Sequence, residues 1–425
     1  MIRSKMTPVL VAAAVLAATI GVAACGDDGG GGGEASFDLK IGDIVPLTGD
    51  LSPFGPPGRK AADLAVQEIR KAIKQAGVEH TVTIQHEDEE TNPQAAVSAA
   101  RKLADAGVSC MAGAWASADT IPVAESVSIR EQVVQISPSS TAASIRDIDD
   151  DGYLNRTAPP DNLQAKALAD HVADSLGGAS GKTVNVGARN DFYGTGLADA
   201  FPREWQARGG RIGQKVVYDP ELPSYNSEAR KIASGNPDAF VIVDFPETYT
   251  KVGAALVRTG DWDATKTFIT DGLADNELPQ SAGREATEGL RGTTVGSFAG
   301  ANQDAFDKLY KAAPGPKRQT FDSQNFDAVV LCYLAAVAAG SSDAEDIKNE
   351  LRDVTGPPGT KYTFRQLPQA IEALQNGDDI DYEGASGPID LDEEGDLSKY
   401  VYTIIRFRNG ELQNVRQVTP SATEK

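Results

Sequence analysis

Apolar positions recur along the chain in two alternating rhythms. Asp38 to Val45 is a short, largely apolar run of strand length. Ala62, Ala65, Val66, Ile69, Ile73 and Ala76 then fall on one helical face, which Gly77 closes. Thr81 to His86 predicts the next strand, and Pro93 opens a helix that ends at Gly107, since proline suits a first helical turn. A strand over 108–115, a helix over 118–132 and a strand over 133–138 continue the alternation. After Pro159-Pro160 the rhythm restarts, with helices at 162–176, 194–208, 224–234 and 247–259. Between and after them lie strands at 183–188, 212–218, 239–245 and 267–271. Alternation at this spacing predicts an α/β fold of two halves, each a mostly parallel sheet covered by helices on both faces. The last third is different: helices fit 303–312, 324–339, 344–354 and 365–376, and strands fit 400–407 and 412–418. Arg408-Asn409-Gly410 between those strands predicts a hairpin, because Asn-Gly tolerates the positive φ of a tight turn.

The first 36 residues stand outside this pattern. Arg3 and Lys5 precede an almost wholly apolar run from Val9 to Ala24, shorter than the roughly 20 residues that cross a bilayer as a helix. The run ends in Val22-Ala23-Ala24-Cys25, small residues before a cut, and resembles a bacterial lipobox. It predicts a lipoprotein signal peptide over 1–24 and lipidation of Cys25. A Gly-rich tether over 25–36 follows, built on Gly29 to Gly33. The expected location is extracytoplasmic, lipid-anchored to the outer face of the bacterial cell membrane.

Charge and composition narrow the chemistry. The 40 Lys and Arg against 61 Asp and Glu give a net charge of −21, which argues against a nucleic-acid surface. Three His and three Cys in 425 residues make a zinc cluster or a thiol enzyme a poor fit, and no metal or cofactor is expected. His80, His86 and His171 read as surface or strand-end residues. Cys110 and Cys332 either pack as small hydrophobes or pair with each other, which the sequence leaves open. Gly177 to Thr183 imitates a phosphate loop but follows a helix and opens a strand, the reverse of the required order. Asp147 to Gly152 and Asp390 to Gly395 imitate calcium loops, yet their twelfth positions are Ala158 and Val401 in place of a bidentate Glu. There is no G-x-S-x-G nucleophile elbow.

Candidate chemistry collects at the carboxyl ends of the predicted strands, where α/β sheets hold ligands. The first half offers Phe54, Trp115, Ser117, Ser139 and Thr141; the second offers Tyr193, Phe245 and Asp271. Hydroxyls and backbone N–H groups on one side and a carboxylate with aromatic rings on the other suit a small zwitterion, its ammonium directed to Asp271. Each residue has a plainer role open to it: Ser117 and Thr141 as helix caps, Asp271 as a turn residue before Gly272, the rings as core.

At these positions, and in Pro46-Leu47-Thr48-Gly49 and Gly384 to Asp390 with Asp396 following, the chain resembles the type I periplasmic binding proteins. Within them it is similar to the branched-chain amino acid (leucine/isoleucine/valine) binding family of ABC transporters, over about residues 38–410. The resemblance implies two Rossmann-like lobes joined by three hinge crossovers near 159, 295 and 390. Lobe 1 would span 37–159 and 296–389, and lobe 2 would span 160–295 and 390–425. It implies a binding role without catalysis: a monomeric receptor that closes on an amino acid, most readily of branched-chain type, and delivers it to an ABC transporter permease. By position, Ser117 and Thr141 would take the ligand carboxylate with help from the Ser139 backbone, and Asp271 the ammonium. Phe54, Tyr193 and Phe245 would close the cleft and Trp115 would line the side-chain pocket, where leucine binders carry something smaller. A ligand-sensing module of the same fold and an unrecognised α/β enzyme are the rival readings.

Overall fold

A computed structural model describes residues 36–420, so Arg3, Lys5, the predicted signal peptide, Cys25 and nearly all of the tether lie outside the described residues. The first sheet contains β1 (Phe37–Val45), β2 (His80–Asp88), β3 (Cys110–Ala112), β4 (Val134–Ser137) and β5 (Leu154–Arg156). All are parallel, in the order β2-β1-β3-β4-β5. The second sheet takes β6 (Thr183–Arg189), β7 (Arg211–Tyr218), β8 (Ala239–Val243), β9 (Thr267–Ile269) and β10 (Arg291–Val295). A separate parallel pair follows, β11 (Thr360–Thr363) and β12 (Ile380–Glu383). The closing hairpin β13 (Tyr402–Arg408) and β14 (Glu411–Val418) adds antiparallel to β10, giving the order β14-β13-β10-β9-β8-β6-β7. Asn409 and Gly410 take φ of 59° and 75°, the conformation their turn was expected to need.

Local sequence accounts for these elements. The helix Gly55–Ala76 has prolines in its first turn and stops where Gly77 turns left-handed at φ 76° and donates its N–H to the Ile73 carbonyl. The helix Asp322–Ala339 is apolar on nearly every side and correspondingly buried on nearly every side. It packs with Phe306 and Ile371 into one core with Leu39, Ile41 and Val134, so the chain after β10 returns to cover the first sheet. Two lobes result, and the chain passes between them three times: after β5, after β10 and before β13. The third passage, expected near 390, falls between Leu397, which belongs to the first core, and Tyr402, which belongs to the second. Arg156 and Arg146 tie that return segment down by pairing with Asp396, and Arg146 also meets Asp392. The acidic run at 390–395 therefore serves as an anchor for arginines.

Other expectations need correcting. The helix expected over 118–132 is interrupted by a wider turn at Ala124–Ser128, just past Pro122, whose missing N–H cannot complete the regular ladder. β5, β10, β11 and β12 have no counterpart in the sequence reading, being short and largely polar (LNR, RGTTV, TKYT and IDYE). Of the histidines, His80 stands at a strand end as expected, opening β2, but is buried and stacked on Phe37; His86, near the other end of β2, lies between Asp43 and Asp63, and His171 is half-buried in a helix. Cys110 and Cys332 form a disulfide, which joins β3 to the buried helix.

Candidate functional site

The site lies between the lobes at the strand ends. On the first lobe, Glu89, just past β2, accepts hydrogen bonds from the backbone N–H groups of Trp115 (2.7 Å) and Ala116 (3.3 Å) and so fixes the turn after β3. The Trp115 carbonyl accepts from the hydroxyls of Ser139 (2.7 Å) and Ser140 (3.0 Å). Ser117 Oγ accepts from the Ala142 N–H at 3.1 Å, which links the turns after β3 and β4. Ser117 is thus a tie between strand ends and does not cap its own helix. The Trp115 ring lies against Gly58, where a Cβ would overlap the indole.

On the second lobe, the Tyr193 hydroxyl donates to Asp271 Oδ1 (3.2 Å), accepts from the Gly272 N–H (3.1 Å) and meets Thr270 Oγ1 at 2.7 Å. Its ring stacks on Phe245 with centroids 5.2 Å apart, and the Arg189 guanidinium covers the other part of that stack, 3.8 Å from the Phe245 centroid. Burial pushes the Asp271 carboxyl up to about 6, against the hydrogen bond from Tyr193. Asp161, buried behind it, is raised well above the usual carboxylate range by burial and then by the charge of Asp271. Asp119, in the first helical turn as expected, is also buried, and burial with the nearby Asp191 raises it.

A narrow cavity of about 20 Å³ is lined by Leu51, Phe54, Trp115, Ala116, Ser117, Ser139, Tyr193, Phe245, Asp271, Gly272 and Phe321. The structure thus brings seven of the eight sequence candidates to one cavity. Thr141 is not in its wall: it is buried nearby, and its carbonyl accepts the Asp161 N–H at 2.7 Å. Phe321 escaped the sequence reading because it arrives from the far end of the chain. It stands at the start of the helix Asp322–Ala339 with φ 73°, a strained conformation for a bulky residue. It meets Trp115 edge-on at 6.3 Å and lines both the cavity and a larger, open polar cleft of about 460 Å³ walled by Asn276, Arg318 and Gln417 among others. Glu89 stands three residues past the predicted strand 81–86, one of four consecutive acids that nothing in the sequence tells apart, and Phe321 had no signal.

The lobes also touch directly. Asp50, in the loop after β1, accepts from Thr248 Oγ1 at 2.8 Å and pairs with Arg189 at 3.1 Å. Among the described residues no group of His, Cys, Asp or Glu is arranged to hold a metal ion.

Two α/β lobes with three passages between them and a small lined cavity at their strand ends define a two-lobed solute receptor. Residues 38–375 match the periplasmic binding protein family. The chain belongs to that family. It is 27% identical over 386 residues to the Leu/Ile/Val-binding protein BraC3 of Rhizobium johnstonii, covering 89% of this chain and 94% of that one. Among solved structures it is similar to the branched-chain amino acid transporter substrate-binding protein LivJ of Streptococcus pneumoniae in complex with isoleucine. That likeness has a TM-score of 0.73 at 21% identity, covering 90% of this chain and 100% of the other. An ABC-transporter solute-binding protein of R. palustris in complex with benzoate gives a TM-score of 0.71 at 18% identity, covering 91% and 98%. The likenesses to solved structures carry the fold. The protein is accordingly an extracytoplasmic solute-binding protein with a small-molecule ligand.

Proposed function

We propose that the protein binds an amino acid, or a similarly small zwitterion, between its lobes and releases it to the permease as a monomer held at the outer membrane face by lipid on Cys25. The observation that carries this reading is the buried Asp271 carboxylate on one lobe, across a shared cavity from Ser117 and Ser139 on the other. An ammonium is the natural partner of a carboxylate taken out of water, and hydroxyls with backbone N–H groups suit the ligand's own carboxylate. Ligand touching both lobes would favour the closed form, since only differential contact shifts such an equilibrium. The names of the curated relatives make leucine, isoleucine and valine the first ligands to assay. Lobe 1 is assigned 37–159 with 296 to about 397, and lobe 2 is assigned 160–295 with the chain from about 398 onward.

The test is calorimetry of the wild type and Asp271→Ala against amino acids. The substitution should weaken an amino-acid ligand by roughly 3–5 kcal/mol, the cost of breaking a buried ion pair by removing one partner. Unchanged affinity would overturn the ammonium assignment. Loss of membrane association on Cys25→Ala tests the anchor.

A further inference from the structure

We infer that Trp115 sets the ligand's side-chain chemistry: its indole N–H takes a hydrogen-bond acceptor from the ligand, so the preferred amino acid carries a neutral acceptor group, a carboxamide or a hydroxyl, in place of a branched aliphatic side chain. This rests on the amino-acid reading above and goes further, to the class of amino acid.

The indole forms part of the cavity wall, yet its Nε1–H is buried and has no hydrogen-bond partner in the protein. Buried Trp N–H groups usually find an acceptor, because an unpaired donor bears the full penalty of leaving water. The ring is not free to seek one. Its backbone is held by Glu89 on the N–H side and by Ser139 and Ser140 on the carbonyl side. Its face lies on Gly58, and Phe321 closes on it edge-first. None of the polar groups that share the cavity accepts from it: the Ser139 hydroxyl is turned to the Trp115 carbonyl, Ser117 Oγ to the Ala142 N–H, and Asp271 to Tyr193. The remaining source of an acceptor is the ligand.

Charge restricts that acceptor. Asp271 is the one charged residue in the lining, so a second carboxylate on the ligand would meet no cation there. A neutral oxygen meets the N–H without that penalty. A leucine or valine side chain would cover the N–H and leave it unpaired, and sites built to hydrogen-bond a polar group discriminate strongly against analogues that lack it.

Matched pairs of equal shape test this: asparagine against leucine, threonine against valine, and tyrosine against phenylalanine, each titrated into the mature protein by calorimetry. The expected result is that the acceptor member of at least one pair binds tighter than its partner by about tenfold or more. Trp115→Phe, which keeps a ring but loses the donor, should shrink that preference to about threefold or less. If leucine, valine and phenylalanine each bind as well as or better than their partners in the wild type, the inference is overturned while the amino-acid reading stands. That comparison needs no variant to fold. If none of the six binds and a ligand without an amine binds equally to wild type and Asp271→Ala, the amino-acid reading itself falls, and this inference with it.

Discussion

Following amino-acid affinity by calorimetry from about pH 7.5 down to about pH 5 should expose the proton that Asp271 takes up. Desolvation disfavours the ionised carboxylate, and burial raises the group to about 6. A ligand ammonium keeps its proton across this range and needs Asp271 ionised. Near neutrality the carboxylate is mostly charged; one unit below its midpoint only about one site in eleven is, so the apparent Kd should rise about tenfold, or ~1.4 kcal/mol. Asp271→Asn removes the titrating group: its affinity should be weak and flat with pH. A flat wild-type profile, or the same tenfold slope in Asp271→Asn, would refute the reasoning.

Three further outcomes are expected. Cys110 and Cys332 are 222 residues apart in sequence, and restricting so long a loop in the unfolded chain is worth up to about 5 kcal/mol. Reduced protein or Cys110→Ala/Cys332→Ala should therefore unfold at clearly lower urea, and a shift under ~1 kcal/mol would contradict the estimate. Burial alone would lower His86, but its hydrogen bonds to Asp43 and Asp63 outweigh this and raise it to about 9. Its folded pKa exceeds the unfolded value, so the stabilisation is full below about pH 6.5 and fades as pH rises towards 9. Thermal unfolding should show that fall in the wild type and less of it in His86→Gln. Asp50 bridges the lobes through Arg189 and Thr248, so Asp50→Asn should raise the ligand Kd about fivefold, ~1 kcal/mol, mainly through faster release measured by stopped flow.

The α/β alternation, the hairpin at Asn409-Gly410 and most of the cavity wall were legible in the chain because their signals are local. Apolar spacing selects helix or strand, glycine and proline mark the ends, and strand ends in α/β sheets locate ligands. The same logic reached Phe54, Trp115, Ser117, Ser139, Tyr193, Phe245 and Asp271, which line one cavity, and Thr141, which is buried beside it.

What the sequence determined by itself, then, was the order of elements and the kinds of side chain at their ends. Tertiary structure alone decided which distant residues meet. Cys110 found Cys332 across 222 residues, Phe321 arrived on the return of a buried helix, and Asp50 reached Arg189 on the other lobe. Periodicity records how a segment lies against its neighbours; it does not say which neighbours. β5 (Leu-Asn-Arg) and β10 (Arg-Gly-Thr-Thr-Val) were missed because they lack the apolar run that marked the equally short β3 and β9, and only pairing within the sheet defines them.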